Sequence, residues 1–112
     1  MINGECIRAF RTSILRLKVL KFLNAIYPEK AYLSEISKAL SIQETNVIGC
    51  LRGLNNKNYS YPRYDENLSL MGLGLVETIV KGNKVYYKIK DKAKADEIVL
   101  MFPVRKMVEV EI

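Results

Sequence analysis

The chain has 112 residues, with 18 Lys and Arg against 12 Asp and Glu, and it contains no histidine. This length suits a single domain with a real hydrophobic core. The formal net charge of +6 is typical of proteins that bind a polyanion. Because histidine is absent, the commonest general base and the usual metal ligand are both missing, so we do not expect an enzyme.

The two cysteines, Cys6 and Cys50, are far apart in the sequence. Their spacing matches neither a zinc site nor a secreted disulfide framework, so we expect reduced thiols. No stretch approaches the roughly 18 to 20 apolar residues of a membrane span, and residues 1–10 lack the apolar core of a signal peptide. The sequence therefore predicts a cytoplasmic protein with no metal, no cofactor and no membrane contact.

The first strong helical pattern follows an N-terminal segment, residues 1–11. Ile7 and Phe10 could begin a helix there, but the segment has too few periodic positions to define one, and we interpret it as an arm. From Thr12 or Ser13, either of which can cap a helix, apolar residues repeat as far as Tyr27, where Pro28 ends the helix. The apolar face is wide and comprises Leu15, Leu17, Val19, Leu20, Phe22, Leu23 and Ile26. Such a helix is expected to be largely buried and to act as a scaffold.

Two short helical patterns come next, separated only by residues 41–43. In the first, Ile36, Ala39 and Leu40 fall three and four residues apart and so share one face. The second runs over residues 44–54. Two helices joined by so short a turn make a helix-turn-helix.

The second of these helices presents a polar stripe opposite its apolar side. On a helical wheel this stripe consists of Thr45, Gly49, Arg52 and Asn56, with Gln43 and Asn46 at its N-terminal end. Hydroxyl, amide and guanidinium groups suit base edges and phosphates. A glycine inside a helix costs about 1 kcal/mol relative to alanine, and two explanations are equally open for Gly49: close approach to a DNA backbone, or a crossing against a neighbouring element.

A polar segment, residues 55–67, follows and is interpreted as a loop. In it Arg63 lies among three tyrosines, a combination that can stack on bases. The favoured alternative is that the tyrosines fold back over the core with their hydroxyls in water. Residues 68–73 suit a short helix that returns to the core.

Residues 75–80 and 85–89 are rich in β-branched or aromatic side chains, and the connection between them contains Gly-Asn, which predicts a β-hairpin. Its lysines, Lys81, Lys84 and Lys88, are expected to contact phosphates. A basic hairpin after a helix-turn-helix predicts an α+β winged helix over residues 1–90, with a three-helix core and the hairpin as its wing.

The C-terminal segment, residues 91–112, begins with Asp91 as a possible cap for a helix over residues 92–102. An alternating pattern follows that suits a short strand or an extended tail. The helix repeats Ala95, Ile98, Val99 and Phe102 on one face. This is more apolar surface than a short winged helix needs, so we predict a homodimer held by this helix and the N-terminal arm. The alternative is that the helix folds back on its own core in a monomer.

The string EIxxxLSIxxxNVxxxLxxL over residues 35–54 resembles the helix-turn-helix of ArsR- and MarR-type winged-helix regulators. Residues 74–77, GLVE, are similar to the segment that introduces their wing. With the polar insertion, residues 13–90 resemble archaeal members most. Ser41 stands where these families often have glycine. Because the metal-sensing members carry clustered cysteines or histidines and Cys50 is alone, no metal site is carried over.

The resemblance implies a sequence-specific regulator that binds double-stranded DNA, with residues 44–54 in the major groove and residues 75–89 on the backbone. The alternative is a winged-helix module for protein interaction within a larger assembly, since a fold does not fix its function. Titration of duplex DNA against salt separates the two, because binding to phosphates weakens steeply as salt rises.

Overall fold

The computed structural model describes residues 4–53 and 68–102. The elements in these ranges are five helices and three strands: α1 (Gly4–Thr12), α2 (Ile14–Ile26), β1 (Ala31–Tyr32), α3 (Leu33–Leu40), α4 (Glu44–Arg52), β2 (Val76–Lys81), β3 (Lys84–Ile89) and α5 (Lys92–Met101). The strands form one antiparallel sheet in the order β1-β3-β2. The predicted α+β class and the helix-turn-helix followed by a hairpin are confirmed.

Helix α1 corrects the prediction that residues 1–11 form an arm. Its apolar residues Cys6, Ala9 and Phe10 are all buried, and the helix packs against α2. An isolated helix of nine residues is marginal in water, so α1 depends on this packing rather than on its own propensity. The sequence alone therefore shows only a weak signal for it.

Helix α2 is the central scaffold, as predicted, and contacts α1, α3, α4, α5 and β3. The Ser13 hydroxyl caps it by accepting a hydrogen bond from the Arg16 backbone N–H at 3.2 Å. The Arg16 side chain is fully buried, which the apolar periodicity did not predict. Its Nη1 donates to the Ala9 carbonyl at 2.6 Å and so ties α2 to α1.

The turn between α3 and α4 depends on the backbone of Ser41, which lies in the left-handed region with φ 55° and ψ 43°. Glycine adopts this conformation with the least strain, which accounts for its frequency at such helix ends. Ile36 and Ile42 on either side of the turn are buried. Ala39, predicted to share the buried face, is exposed, because α3 covers only a narrow stripe of the core.

Residues 69–75 form turns and bends rather than the short helix predicted over residues 68–73. The segment does return to the core as predicted, since its four leucines, Leu68, Leu70, Leu73 and Leu75, are buried. The backbone N–H groups of Leu70 and Met71 donate to the carbonyls of Cys50 and Leu51, each at 2.9 Å. These bonds satisfy carbonyls in the last turn of α4 and join the start of the wing to that helix.

The wing is a regular hairpin in which Lys81 pairs with Lys84 across a two-residue turn. Gly82 has a positive φ of 61°, as such tight turns require. Strand β1, which the sequence did not predict, pairs Ala31 with Tyr87 and Tyr32 with Tyr86. This pairing attaches the segment before α3 to the wing.

Helix α5 packs its apolar face on its own core, against α2. Ala95 and Ile98 are 0% and 1% exposed, so the prediction that this face is left uncovered is wrong. Asp91 caps the helix as predicted by accepting from the Lys94 N–H at 3.0 Å. The rest of the predicted dimerisation segment, residues 103–112, lies outside the described residues.

A polar cluster holds the start of α5 on the end of α2. Lys92 Nζ donates to Asn24 Oδ1 at 2.9 Å and lies 3.1 Å from Asp96 Oδ1, while Asn24 Nδ2 donates to the same carboxylate at 3.0 Å. The hydrogen bonds from Asn24 and then Lys92 lower the pKa of the Asp96 carboxyl from its ordinary value. The cluster orients α5 beside α2 at their exposed edge.

Candidate nucleic-acid interface

The N-terminal turn of α4 presents exposed polar side chains. Gln43 occupies the N-cap position, and both it and Thr45 are exposed. Asn46 is half-buried, and Arg52 is exposed in the last turn. The structure therefore brings Gln43, Thr45 and Arg52 to the accessible side of α4.

Gly49 does not belong to that accessible side. It is buried, together with Val47, Cys50 and Leu51. The predicted outward position was wrong because α4 packs against both α2 and α3 and so buries a wider arc than one apolar stripe. Of the two explanations for this glycine, burial favours packing against neighbouring elements over approach to a DNA backbone.

The remaining predicted contacts fall on the wing or outside the described residues. Lys81 and Lys84 are exposed at the turn, and Lys88 is half-buried. Asn56 and Arg63 lie in residues 54–67, outside the described part of the chain. In the described ranges, the basic residues predicted to contact DNA are thus Arg52 and the three lysines of the wing.

A tyrosine pair lies beside two lysines where β1 pairs with β3. The rings of Tyr32 and Tyr86 meet edge to face, with centroids 5.7 Å apart. Lys84 Nζ lies 4.4 Å from the Tyr32 ring centroid, and Lys30 Nζ lies 5.3 Å from the Tyr86 ring centroid. The alternation of Lys84, Tyr86 and Lys88 along β3 is the signal that could have indicated this face, but the partners Lys30 and Tyr32 are distant in sequence.

Between α4 and the wing lies an open cleft of about 600 Å³. Its lining residues come from β1, α3, α4 and β3: Tyr32, Leu33, Ser34, Glu44, Ile48, Arg52, Lys84, Val85 and Tyr87. The Arg52 guanidinium carbon is 5.8 Å from the centroid of Tyr87. This contact directs the side chain toward the wing.

A family model described as EarA-like matches residues 6–99, which is most of the chain. The chain belongs to the EarA-like family. This EarA-like chain is also 42% identical over 93 residues to the uncharacterized protein MJ0905 of the archaeon Methanocaldococcus jannaschii. That match covers 83% of the chain and 78% of the relative.

Among solved structures, the EarA-like chain is similar to reduced HlyU from Vibrio cholerae, with a TM-score of 0.52 and 15% sequence identity. The likeness covers 88% of this chain and 85% of HlyU. At this identity it shows the fold alone, and that fold is the winged helix predicted from the sequence.

The described residues of the EarA-like protein contain no group of three or more His, Cys, Asp or Glu side chains placed to hold a metal ion. Cys6 and Cys50 are buried and do not form a disulfide bond, and the burial of Cys50 was predicted. Within residues 4–53 and 68–102, no helix is long and apolar enough to cross a membrane.

Proposed function

We propose that this protein is a sequence-specific transcriptional regulator that binds double-stranded DNA. In this proposal α4 enters the major groove and the wing of β2 and β3 lies on the backbone. The observation that carries the proposal is the cleft between α4 and the wing, where Arg52 and Lys84 face the same open space. A helix with polar residues at its accessible N-terminal turn, next to a basic hairpin, matches the shape and charge of a duplex.

Base recognition is assigned to the N-terminal turn of α4. In helix-turn-helix proteins the N-terminal residues of the second helix reach the base edges. Gln43 and Thr45 are exposed there and carry an amide and a hydroxyl, groups that pair with adenine and with several bases respectively. Asn46, which is half-buried, contributes at the edge of this surface.

Selection of bound sequences from a random duplex pool tests the function directly. We expect a defined motif for the wild-type chain. Replacing Thr45 or Gln43 by alanine should cost about 1 to 3 kcal/mol of binding free energy and relax the motif at one position. Ala93→Ser, a polar change at an exposed position on α5, is the control and should leave the motif unchanged.

A pool that yields no enriched sequence, together with no salt-dependent binding of duplex DNA, would overturn the proposal. That result would favour the second candidate, a module for protein interaction. If the selected motif is identical for the wild type and both α4 variants, Gln43 and Thr45 do not contact bases.

The proposal includes a homodimer, so that two α4 helices read half-sites about one duplex turn apart. Its support is the apolar surface left at the end of α5, where Leu100 is 80% exposed and Met101 is 48% exposed. Leu100 lies on the opposite side of α5 from Ile98, which packs on the core, and Met101 lies between the two at the edge of the core face. The dimer contact is therefore assigned to Leu100 and Met101.

Sedimentation equilibrium at micromolar concentration tests this contact. We expect a dimer mass for the wild-type chain and a monomer mass after Leu100→Asp and Met101→Asp, because charges in a paired apolar surface are costly. Val80→Asp, which also removes an exposed apolar side chain, is on the wing and should stay dimeric. A monomer mass for the wild-type chain would end the dimer proposal.

A further inference from the structure

The side chains that line the cleft between α4 and the wing are those of a phosphate-binding site. Its lining carries two cationic side chains, Arg52 and Lys84, and one carboxylate, that of Glu44, so the lining has a net positive charge. Its lining also includes Leu33 and Ser34, the first two residues of α3. The N–H groups of a helix's first turn lack partners in the helix, and the helix dipole favours an anion there.

Both cations are held by aromatic rings that line the same cleft. Lys84 Nζ lies over Tyr32 at 4.4 Å from the centroid, and the Arg52 guanidinium lies over Tyr87 at 5.8 Å. A cation over a ring keeps most of its N–H donors available, because the attraction involves the ring face and not a hydrogen bond. The rings therefore fix the positions of donors that remain free to bind an anion.

The rest of the lining is apolar. Leu33, Ile48 and Val85 offer aliphatic surface beside the two cations. A nucleotide of duplex DNA presents a charged phosphate next to a deoxyribose with an apolar face, so one backbone unit matches both parts. A base would have to leave its stack to enter the cleft, which costs a few kcal/mol.

We propose that this cleft binds one backbone phosphodiester of the DNA, with Arg52 and Lys84 donating hydrogen bonds to the same phosphate and the adjoining sugar lying on Ile48 and Val85. The inference rests on the proposed function and makes it specific. It assigns Arg52 to a phosphate rather than to a base. Because α4 and the wing would then contact the same phosphate, the position of α4 in the groove would be fixed relative to that of the wing.

The test uses the full chain and the duplex obtained from the random pool, with neutral methylphosphonates replacing single phosphates one at a time. At one position we expect the wild type to lose about tenfold in affinity, the effect of removing a charged hydrogen-bond partner. Arg52→Ala should bind the unmodified duplex about tenfold more weakly and should respond less than the wild type to the methylphosphonate at that position, because only Lys84 then contacts the phosphate. The double variant Arg52→Ala, Lys84→Ala should no longer respond there. Lys90→Ala, which removes an exposed lysine outside the cleft, should respond as the wild type does.

Arg52→Lys separates the two roles of the arginine. A lysine also binds a phosphate, as a point charge, so this variant should keep the wild-type motif. Its affinity should lie between those of the wild type and Arg52→Ala, because lysine lacks the planar guanidinium that lies over Tyr87. Relaxed specificity at one base pair in Arg52→Lys, or an Arg52→Ala variant that responds to every methylphosphonate as strongly as the wild type does, would overturn the inference and leave the proposed function standing. A wild-type chain that binds no duplex would overturn the proposed function itself.

Discussion

Replacing Ile98 by alanine should lower the free energy of unfolding by about 2 to 5 kcal/mol. The side chain is 1% exposed and lies on α5 where that helix packs against α2. Truncation removes buried methyl groups and leaves a cavity that a close-packed core fills only in part. Urea denaturation followed by circular dichroism measures the change.

Leu100 on the same helix is the matched control, because it is 80% exposed. Leu100→Ala should change the stability of the unassociated chain by no more than about 0.5 kcal/mol, so the comparison is made at a concentration where the chain is monomeric. Equal losses in the two variants would contradict the docking of α5 on α2. The comparison also separates folding from assembly, since Ile98 serves the core and Leu100 is assigned to the dimer.

The case of α5 shows what periodicity can and cannot predict. The spacing of Ala95, Ile98, Val99 and Phe102 correctly identified the helix, and Ala95 and Ile98 are buried while Val99 and Phe102 are half-buried. Periodicity does not say which surface covers that face, because a second copy of the chain could bury it as well as α2 does. The Phe10 ring, whose centroid is 6.1 Å from that of Phe102, belongs to a helix that was interpreted as an arm. Missing α1 thus removed part of the surface that covers α5.

The candidate interface was predictable in its local parts. The exposed positions of Thr45 and Arg52 follow from the wheel, and the lysines of the wing follow from the hairpin pattern. Gly49 was misplaced because a wheel assumes one buried side, whereas α4 packs against two helices. A helix between two neighbours buries a wider arc than its apolar stripe indicates.

The cleft could not be predicted from the sequence, because it depends on contacts between distant segments. The contact between Lys84 and Tyr32 requires β1, a strand of only two residues. No periodic pattern can indicate so short a strand, since its pairing with β3 is what defines it. The position of Arg52 over Tyr87 likewise depends on how the wing approaches α4.

Removing the three wing lysines together should weaken DNA binding on every sequence alike. We expect Lys81→Ala, Lys84→Ala and Lys88→Ala combined to flatten the slope of log K against log salt by about 2.7, since each phosphate contact contributes about 0.9. Lysine is a point charge without the planar geometry that base recognition favours, so the selected motif should not change. Binding isotherms from low to physiological salt, on selected and on random duplexes, measure both effects.

The control removes the same formal charge elsewhere by combining Arg11→Ala, Lys21→Ala and Lys90→Ala. Arg11 is on α1, Lys21 is on α2, and Lys90 follows the end of β3 that is away from the turn. It should keep most of the wild-type slope, because the proposal places none of these three positions against the duplex and charges more than about 10 Å from it are screened at 0.1 M salt. Equal flattening in both variants would mean that net charge alone attracts the DNA. A loss confined to the selected duplex would show that the wing reads sequence. The slope and the motif together therefore distinguish a wing that binds the DNA backbone from one that adds only charge. The single variant Lys84→Ala shows how much of the change in slope is due to the lysine over Tyr32.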